Sequence, residues 1–157
     1  MANIMPPLGL ASISAYLGSH TIKNDIVDCY AHPDSDELII EYLKNRKPAF
    51  IGFSCTTSSF FDGVRLAKMA KRVVSEIKVV FGGVHVSAVR EEVLNGYSCI
   101  DYCVVGEGEE AMRQLLTTAE NELSTIPGIV LKGDGGKVYF TGFRKLLLDL
   151  DSLPFPA

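Results

Sequence analysis

The sequence has 157 residues, 15 Lys and Arg against 19 Asp and Glu, a formal charge of −4, and 47% hydrophobic residues. That length supports one hydrophobic core and excludes two independent domains. Scattered cations under a net negative charge exclude a nucleic-acid or polybasic membrane surface. Apolar runs such as Ile77–Phe81 fall far short of the roughly 20 residues of a membrane span, and Met1–Tyr16 lacks a basic leader, so a cytoplasmic protein is expected.

After a Pro-Pro-Leu-Gly opening, apolar residues at Leu10, Ile13, Ala15 and Leu17 predict a helix over Leu8–Leu17 that stops at Gly18. Ile22–Cys29 reads as a short strand and Asp34–Asn45 as an amphipathic helix closed by Pro48. The compact apolar run Ala49–Ser54 predicts a strand buried on both faces. In Phe60–Ser75, residues Phe60, Phe61, Val64, Ala67, Ala70 and Val74 share one side, which predicts a helix. The alternation continues with strand Lys78–Phe81, a Gly-Gly loop, a short helix near Ala88–Asn95, strand Asp101–Val105 and helix Glu109–Asn121. Repeated strand and helix pairs imply a parallel sheet flanked by helices on both faces. Gly128–Lys132 and Lys137–Thr141 flank Gly133-Asp134-Gly135-Gly136, the pattern of a terminal β-hairpin. Two prolines near the end make Phe143–Ala157 a linker.

Ligands of open parallel sheets gather outside the carboxyl ends of the strands, so the residues just after each strand carry the information. Three loops qualify. The first, Ser54-Cys55-Thr56-Thr57-Ser58, offers short hydroxyl groups that either contact a ligand or cap the following helix. In the second, Gly82-Gly83-Val84-His85-Val86-Ser87, missing side chains allow close backbone approach, and His85 is placed to hydrogen-bond a ligand or to serve as a structural imidazole. The third, Gly106-Glu107-Gly108-Glu109-Glu110, puts carboxylates at a helix start, where the macrodipole stabilises them. No adjacent Ser, Cys or Lys waits to be activated, so no catalytic residue is assigned. The chain has neither G-x-G-x-x-G nor G-x-x-x-x-G-K-[ST], which removes the usual dinucleotide and P-loop readings. His20 and His32 lie in polar connections without partner ligands. Cys29, Cys55, Cys99 and Cys103 sit singly in or beside predicted strands; reduced, mostly buried thiols are expected, and no metal site.

Pro6-Pro7-Leu8-Gly9-Leu10, Ile26-Val27-Asp28, Ile51-Gly52-Phe53-Ser54, Gly82-Gly83-Val84-His85, Val105-Gly106-Glu107-Gly108-Glu109, Ile126-Pro127-Gly128-Ile129 and Leu153-Pro154-Phe155-Pro156 occur in this order over nearly the whole chain. Jointly they resemble the N-terminal cobalamin-binding domain of cobalamin-dependent radical S-adenosylmethionine enzymes, a family with members similar to the anaerobic magnesium-protoporphyrin IX monomethyl ester cyclase and to radical methyltransferases. The resemblance implies a Rossmann-like, flavodoxin-like fold over residues 1–142 and a linker, 143–157, towards a radical S-adenosylmethionine domain. It implies cobalamin lying across the carboxyl edge of the sheet. Ser54, Thr56 and Thr57 would line the nucleotide tail or corrin edge, Gly82, Gly83 and His85 would admit the ring, and Val105, Gly106, Glu107 and Gly108 would close the far side.

The chain lacks both the C-x-x-x-C-x-x-C cluster motif and the D-x-H-x-x-G cobalt-ligand motif. S-adenosylmethionine and a [4Fe-4S] cluster are therefore expected only in a parent enzyme, and cobalamin is expected base-off, without a protein histidine beneath the cobalt. Family members begin with an apolar strand before Pro-Pro-Leu-Gly, whereas Met1–Met5 alone precede Pro6, so the first central strand is expected to be truncated. Its loss would be compensated by rearranged strand order or by a neighbouring molecule in a homo-oligomer. A ligand-free scaffold or interaction domain is the alternative function. A phosphoacceptor receiver is a weaker one, since Asp28 stands without an acidic cluster.

Overall fold

The computed structural model describes residues 7–32 and 34–157; the expected truncation of a strand at Met1–Met5 lies outside the described residues. Helix α1 is Leu8–Ser19. It runs through Gly18, the expected stop, and ends at His20, whose backbone N–H returns to Leu17 O. The expected strand Ile22–Cys29 is corrected to a connector: residues 22–28 carry no strand pairing. Extended apolar sequence sets a strand's dihedrals, but a ladder also needs a neighbour's N–H and C=O groups, and no described strand pairs there. Helix α2, Ser35–Arg46, is closed by Lys47 in the left-handed region at φ 45°.

Strand β1 is Phe50–Ser54, helix α3 is Phe60–Val73 and strand β2 is Lys78–Gly82. Beyond β2 the helix expected at Ala88–Asn95 is two short ones, α4 (Val84–Val89) and α5 (Glu91–Gly96), broken at Arg90 with φ 48°. Val84 and His85 therefore belong to a helix, not to a loop. Strand β3 is Tyr102–Val104 and helix α6 is Glu109–Thr117. Helix α6 ends short of the expected Asn121 because Thr118 is extended, and a 3₁₀ turn over Glu120–Thr125 follows. Strands β4 (Ile129–Lys132) and β5 (Val138–Phe140) form the expected hairpin, with positive φ at Gly135 and Gly136 in its turn.

The strands stand in the order β1-β2-β3-β4-β5. The first three are parallel, and the hairpin joins antiparallel, β4 against β3. Among the described strands β1 is an edge, half-exposed with Gly52 and Ser54 open, which corrects the expectation of a strand covered on both faces. Period-two alternation divides the core into two layers. Val79, Phe81, Cys103, Val105 and Val130 face α3, α4 and α5, while Val80, Tyr102, Val104, Ile129 and Leu131 face α6 and the 3₁₀ turn. Helix α2 packs on α3 and α1 on α6, so helices cover both faces in a three-layer α/β, Rossmann-like fold.

Candidate functional site

Because β1, β2 and β3 are parallel neighbours, their carboxyl ends deliver three chain segments to one edge. Main-chain bonds stitch the first two together: Cys55 N–H donates to Gly82 O at 3.0 Å, and His85 N–H donates to Cys55 O at 3.4 Å. Side chains extend the seam. His85 Nδ1 lies 3.2 Å from Thr57 Oγ1, and its ring packs 4.4 Å, centroid to centroid, from Phe60. Ser87 Oγ accepts the N–H of Gly106 at 3.1 Å, which joins the second segment to the third. The result is one continuous rim.

The hydroxyl stretch does not cap α3, because Ser59 makes no side-chain cap bond. Instead Ser59 Oγ accepts the Thr56 N–H at 3.0 Å, and Thr56 Oγ1 lies 3.0 Å from Ser58 Oγ. Thr56, Thr57 and Ser58 remain exposed. This is a solvent-facing set of neutral donors and acceptors.

Not all ten candidate residues open onto the rim in the same way. Ser54, Thr56, Thr57, Gly106 and Glu107 are exposed and His85 is half-buried. Gly83 holds φ 94°, and a Cβ built there would stand 2.6 Å from Cys55 O, so the neighbouring loop's backbone already explains the absent side chain. Beside it, half-buried Gly82 would place a Cβ in ordinary contact with Val104 O at 3.7 Å. Val105 is buried in the core, its N–H given to Gly128 O at 2.8 Å. Gly108 faces α1, where a Cβ would meet Ile13 Cδ1 at 2.7 Å. Nothing lies within 4 Å of a Cβ built on Gly106, which leaves open space at that point of the rim.

The acidic turn does more than answer the helix dipole. Ser12 Oγ donates to Glu109 at 2.7 Å, Tyr16 OH donates to Glu110 at 2.9 Å, and Leu147 N–H donates to Glu107 at 3.3 Å. Arg113 adds two bonds of 2.6 Å to Glu110 and holds that carboxyl below its ordinary value, with help from Tyr16. Burial pushes the Cys55 thiol up to about 11, with Asp62 adding to the effect, and pushes Cys103 up as well. Neither is a nucleophile at neutral pH. Cys29, by contrast, is exposed. Among the described residues no three His, Cys, Asp or Glu side chains converge as metal ligands, and no helix is long and apolar enough to cross a membrane.

Sequence reasoning missed Ser87 and the Cys55 backbone as the pieces that join the loops. Ser87 stands on the first turn of α4, where a hydroxyl two residues after His85 was the available signal; the crossing of Cys55 over Gly83 had none.

The sequence pattern of one family, described as the B12 binding domain, matches residues 1–116. An uncharacterized methyltransferase, PH0819, of Pyrococcus horikoshii is 34% identical over 155 residues, which are 97% of this chain and 33% of that protein. The anaerobic magnesium-protoporphyrin IX monomethyl ester cyclase of Rubrivivax gelatinosus is 28% identical over 159 residues, 98% of this chain and 29% of its own length. The chain thus spans about a third of the length of these curated relatives. Among solved structures, the cobalamin-dependent S-adenosylmethionine radical enzyme OxsB, with aqua-cobalamin and S-adenosylmethionine bound, superposes with a TM-score of 0.81 at 19% identity, covering 96% of this chain and 21% of that one. At that identity the likeness establishes the fold.

Proposed function

Because the chain belongs to the B12 binding domain family, we propose that its rim holds cobalamin as one module of a radical S-adenosylmethionine enzyme, a methyltransferase or an oxidative cyclase. The carrying observation is the continuous edge made by the ends of β1, β2 and β3, stitched through Cys55, Gly82, Thr57, His85, Ser87 and Gly106. Three separate loops would offer three weak sites. One joined rim offers a large flat ligand a single pre-formed surface.

The donor set fits the group. A corrin periphery is rich in amides, and exposed hydroxyls at Thr56, Thr57 and Ser58 give and accept hydrogen bonds without a charge mismatch. Ser54, Thr56 and Thr57 would hold the tail or one corrin edge, Gly82 and Gly83 would admit the ring along their backbone, and the Val105–Gly108 turn would close the opposite side, Val105 and Gly108 through their backbone. When bound, cobalamin supplies organometallic group-transfer or redox chemistry. His85, already engaged with Thr57 and packed on Phe60, serves as a hydrogen-bond partner and not as a cobalt ligand. From the missing D-x-H-x-x-G motif we infer that cobalamin held here would be base-off. The segment 143–157 continues towards a domain that carries S-adenosylmethionine and a [4Fe-4S] cluster, and residues 1–142 form the cobalamin module of a cytoplasmic parent.

The test is co-elution. Purified protein mixed with hydroxocobalamin and passed through gel filtration should carry corrin absorbance with it. The band positions should be those of base-off cobalamin, and they should be unchanged in His85→Ala. Thr57→Val, which removes one neutral hydrogen bond, should weaken retention by roughly 2- to 12-fold. Absence of retention at high protein concentration overturns the proposal in favour of a ligand-free scaffold.

A further inference from the structure

We propose that Glu107 and Arg90 are positioning residues that fasten segment 142–148 against the Gly106–Glu107 end of the rim, making it a strap through which occupancy of the rim reaches the chain beyond β5. The transmission rests on the cobalamin reading; the strap itself does not. One end of the segment is held firmly. Gly128 N–H donates to Gly142 O at 2.8 Å, and the Arg144 guanidinium donates to Gln114 Oε1 at 2.6 Å and to Pro127 O at 3.1 Å. Beside it the Arg90 guanidinium lies 5.6 Å from the Phe140 ring and 5.7 Å from the Phe143 ring, and these two rings meet edge to face at 5.0 Å. Arg90, although its φ is 48°, thus sets its guanidinium against both rings.

The other end is held weakly. Leu147 N–H reaches Glu107 Oε2 at 3.3 Å in an exposed position, and between the two anchors Leu146 is 74% exposed. The circuit closes on the rim. Arg90 ends α4, Ser87 of α4 accepts the Gly106 N–H, Gly106 precedes Glu107, and Glu107 holds Leu147. A ligand that orders Gly106 and Glu107 therefore removes freedom the latch would otherwise have to remove, and latch and ligand favour one another reciprocally.

Hydrogen–deuterium exchange of the full chain, with and without hydroxocobalamin, tests both parts. Without ligand, Glu107→Ala should speed exchange of the Leu147 amide, read in the peptide that spans 146–148, about threefold while leaving the β2 amides Val79–Phe81 unchanged, and Glu107→Gln, which keeps an acceptor oxygen, should restore most of the protection. Arg90→Gln should loosen residues 142–144 in the same way. Equal exchange of 146–148 in wild type and Glu107→Ala overturns the latch. At hydroxocobalamin concentrations that saturate each protein, confirmed by co-elution, wild type should gain protection at 146–148 and Glu107→Ala should not. Corrin that co-elutes yet leaves these amides unchanged in wild type, or protects them equally in Glu107→Ala, overturns the transmission. Failure of corrin to co-elute removes the cobalamin reading and the transmission with it, while the ligand-free exchange still decides the latch.

Discussion

Gly83 and Gly106 both have positive φ, at 94° and 79°, yet their surroundings demand glycine for different reasons. At Gly83 an added Cβ meets Cys55 O at 2.6 Å and Cys55 N at 2.9 Å, atoms of a backbone already bonded to Gly82 O and to the His85 N–H. Neither can yield without unzipping the seam. Gly83→Ala should cost about 3 kcal/mol in urea unfolding, strain and collision together, and should abolish corrin retention. Gly106→Ala meets no atom within 4 Å and should cost only the left-handed backbone penalty, about 1 kcal/mol. Thiol accessibility follows the same local logic. Cys29 is exposed, Cys99 half-buried, and Cys55 and Cys103 are buried with raised thiol values. Alkylation at neutral pH read by mass spectrometry should modify Cys29 first, Cys99 slowly, and the other two only in denaturant.

Helix α1 carries no charged residue and is tied to α6 by hydrogen bonds to the acidic turn. Glu110 accepts the Tyr16 hydroxyl and two Arg113 N–H groups, and the Arg113 bonds chiefly lower its folded-state value below the ordinary 4.5. A carboxyl lowered on folding stabilises the fold fully above its unfolded value, and that stabilisation disappears as pH falls through the lowered folded value. Glu110→Gln should therefore be less stable than wild type by about 0.5–1 kcal/mol at pH 7, a figure reduced by solvent screening of a part-exposed pair. The gap between the two urea curves should close progressively below pH 4.5. A gap constant down to strong acid would assign the effect to packing. Such tethers were beyond sequence reading, since Ser12 and Glu109 stand 97 positions apart.

What the sequence did show was periodicity. Helix α3 was legible because Phe60, Val64, Ala67 and Ala70 repeat at helical spacing and are all buried. The hairpin was legible from its turn glycines. The connector 22–28 has the sequence of a strand but not the structure, because apolar extended sequence is necessary for a strand and insufficient without a partner. The break at Arg90 was hidden because no local pattern marks its positive φ, and the rings its guanidinium meets lie 50 or more positions away. Of the candidate site, the three loops were legible from topology alone. The inward turn of Val105 and the packing of Gly108 on Ile13 depend on α1 and β4, which no local pattern encodes.

If the proposed rim is the cobalamin surface, it exists before the ligand arrives, so binding and folding should be linked by mass action. At hydroxocobalamin a hundredfold above Kd the folded state gains about 2.7 kcal/mol. In a domain of this size that raises Tm by roughly 5–10 °C, whereas a ligand-free scaffold shows no shift. The charge of the rim predicts how the gain responds to salt. Ser54, Thr56, Thr57, Gly82, Gly83, His85, Val105, Gly106, Glu107 and Gly108 include one carboxylate and no Lys or Arg. A site that gripped the nucleotide tail through phosphate charge would need cations and would lose affinity steeply with ionic strength. Hydroxyl and backbone contacts are not screened in that way. Raising NaCl from about 0.05 to 0.5 M should change the corrin Kd by less than about twofold, measured by titration of the absorbance shift, and a tenfold loss would move the site off this rim to a cationic part of the surface.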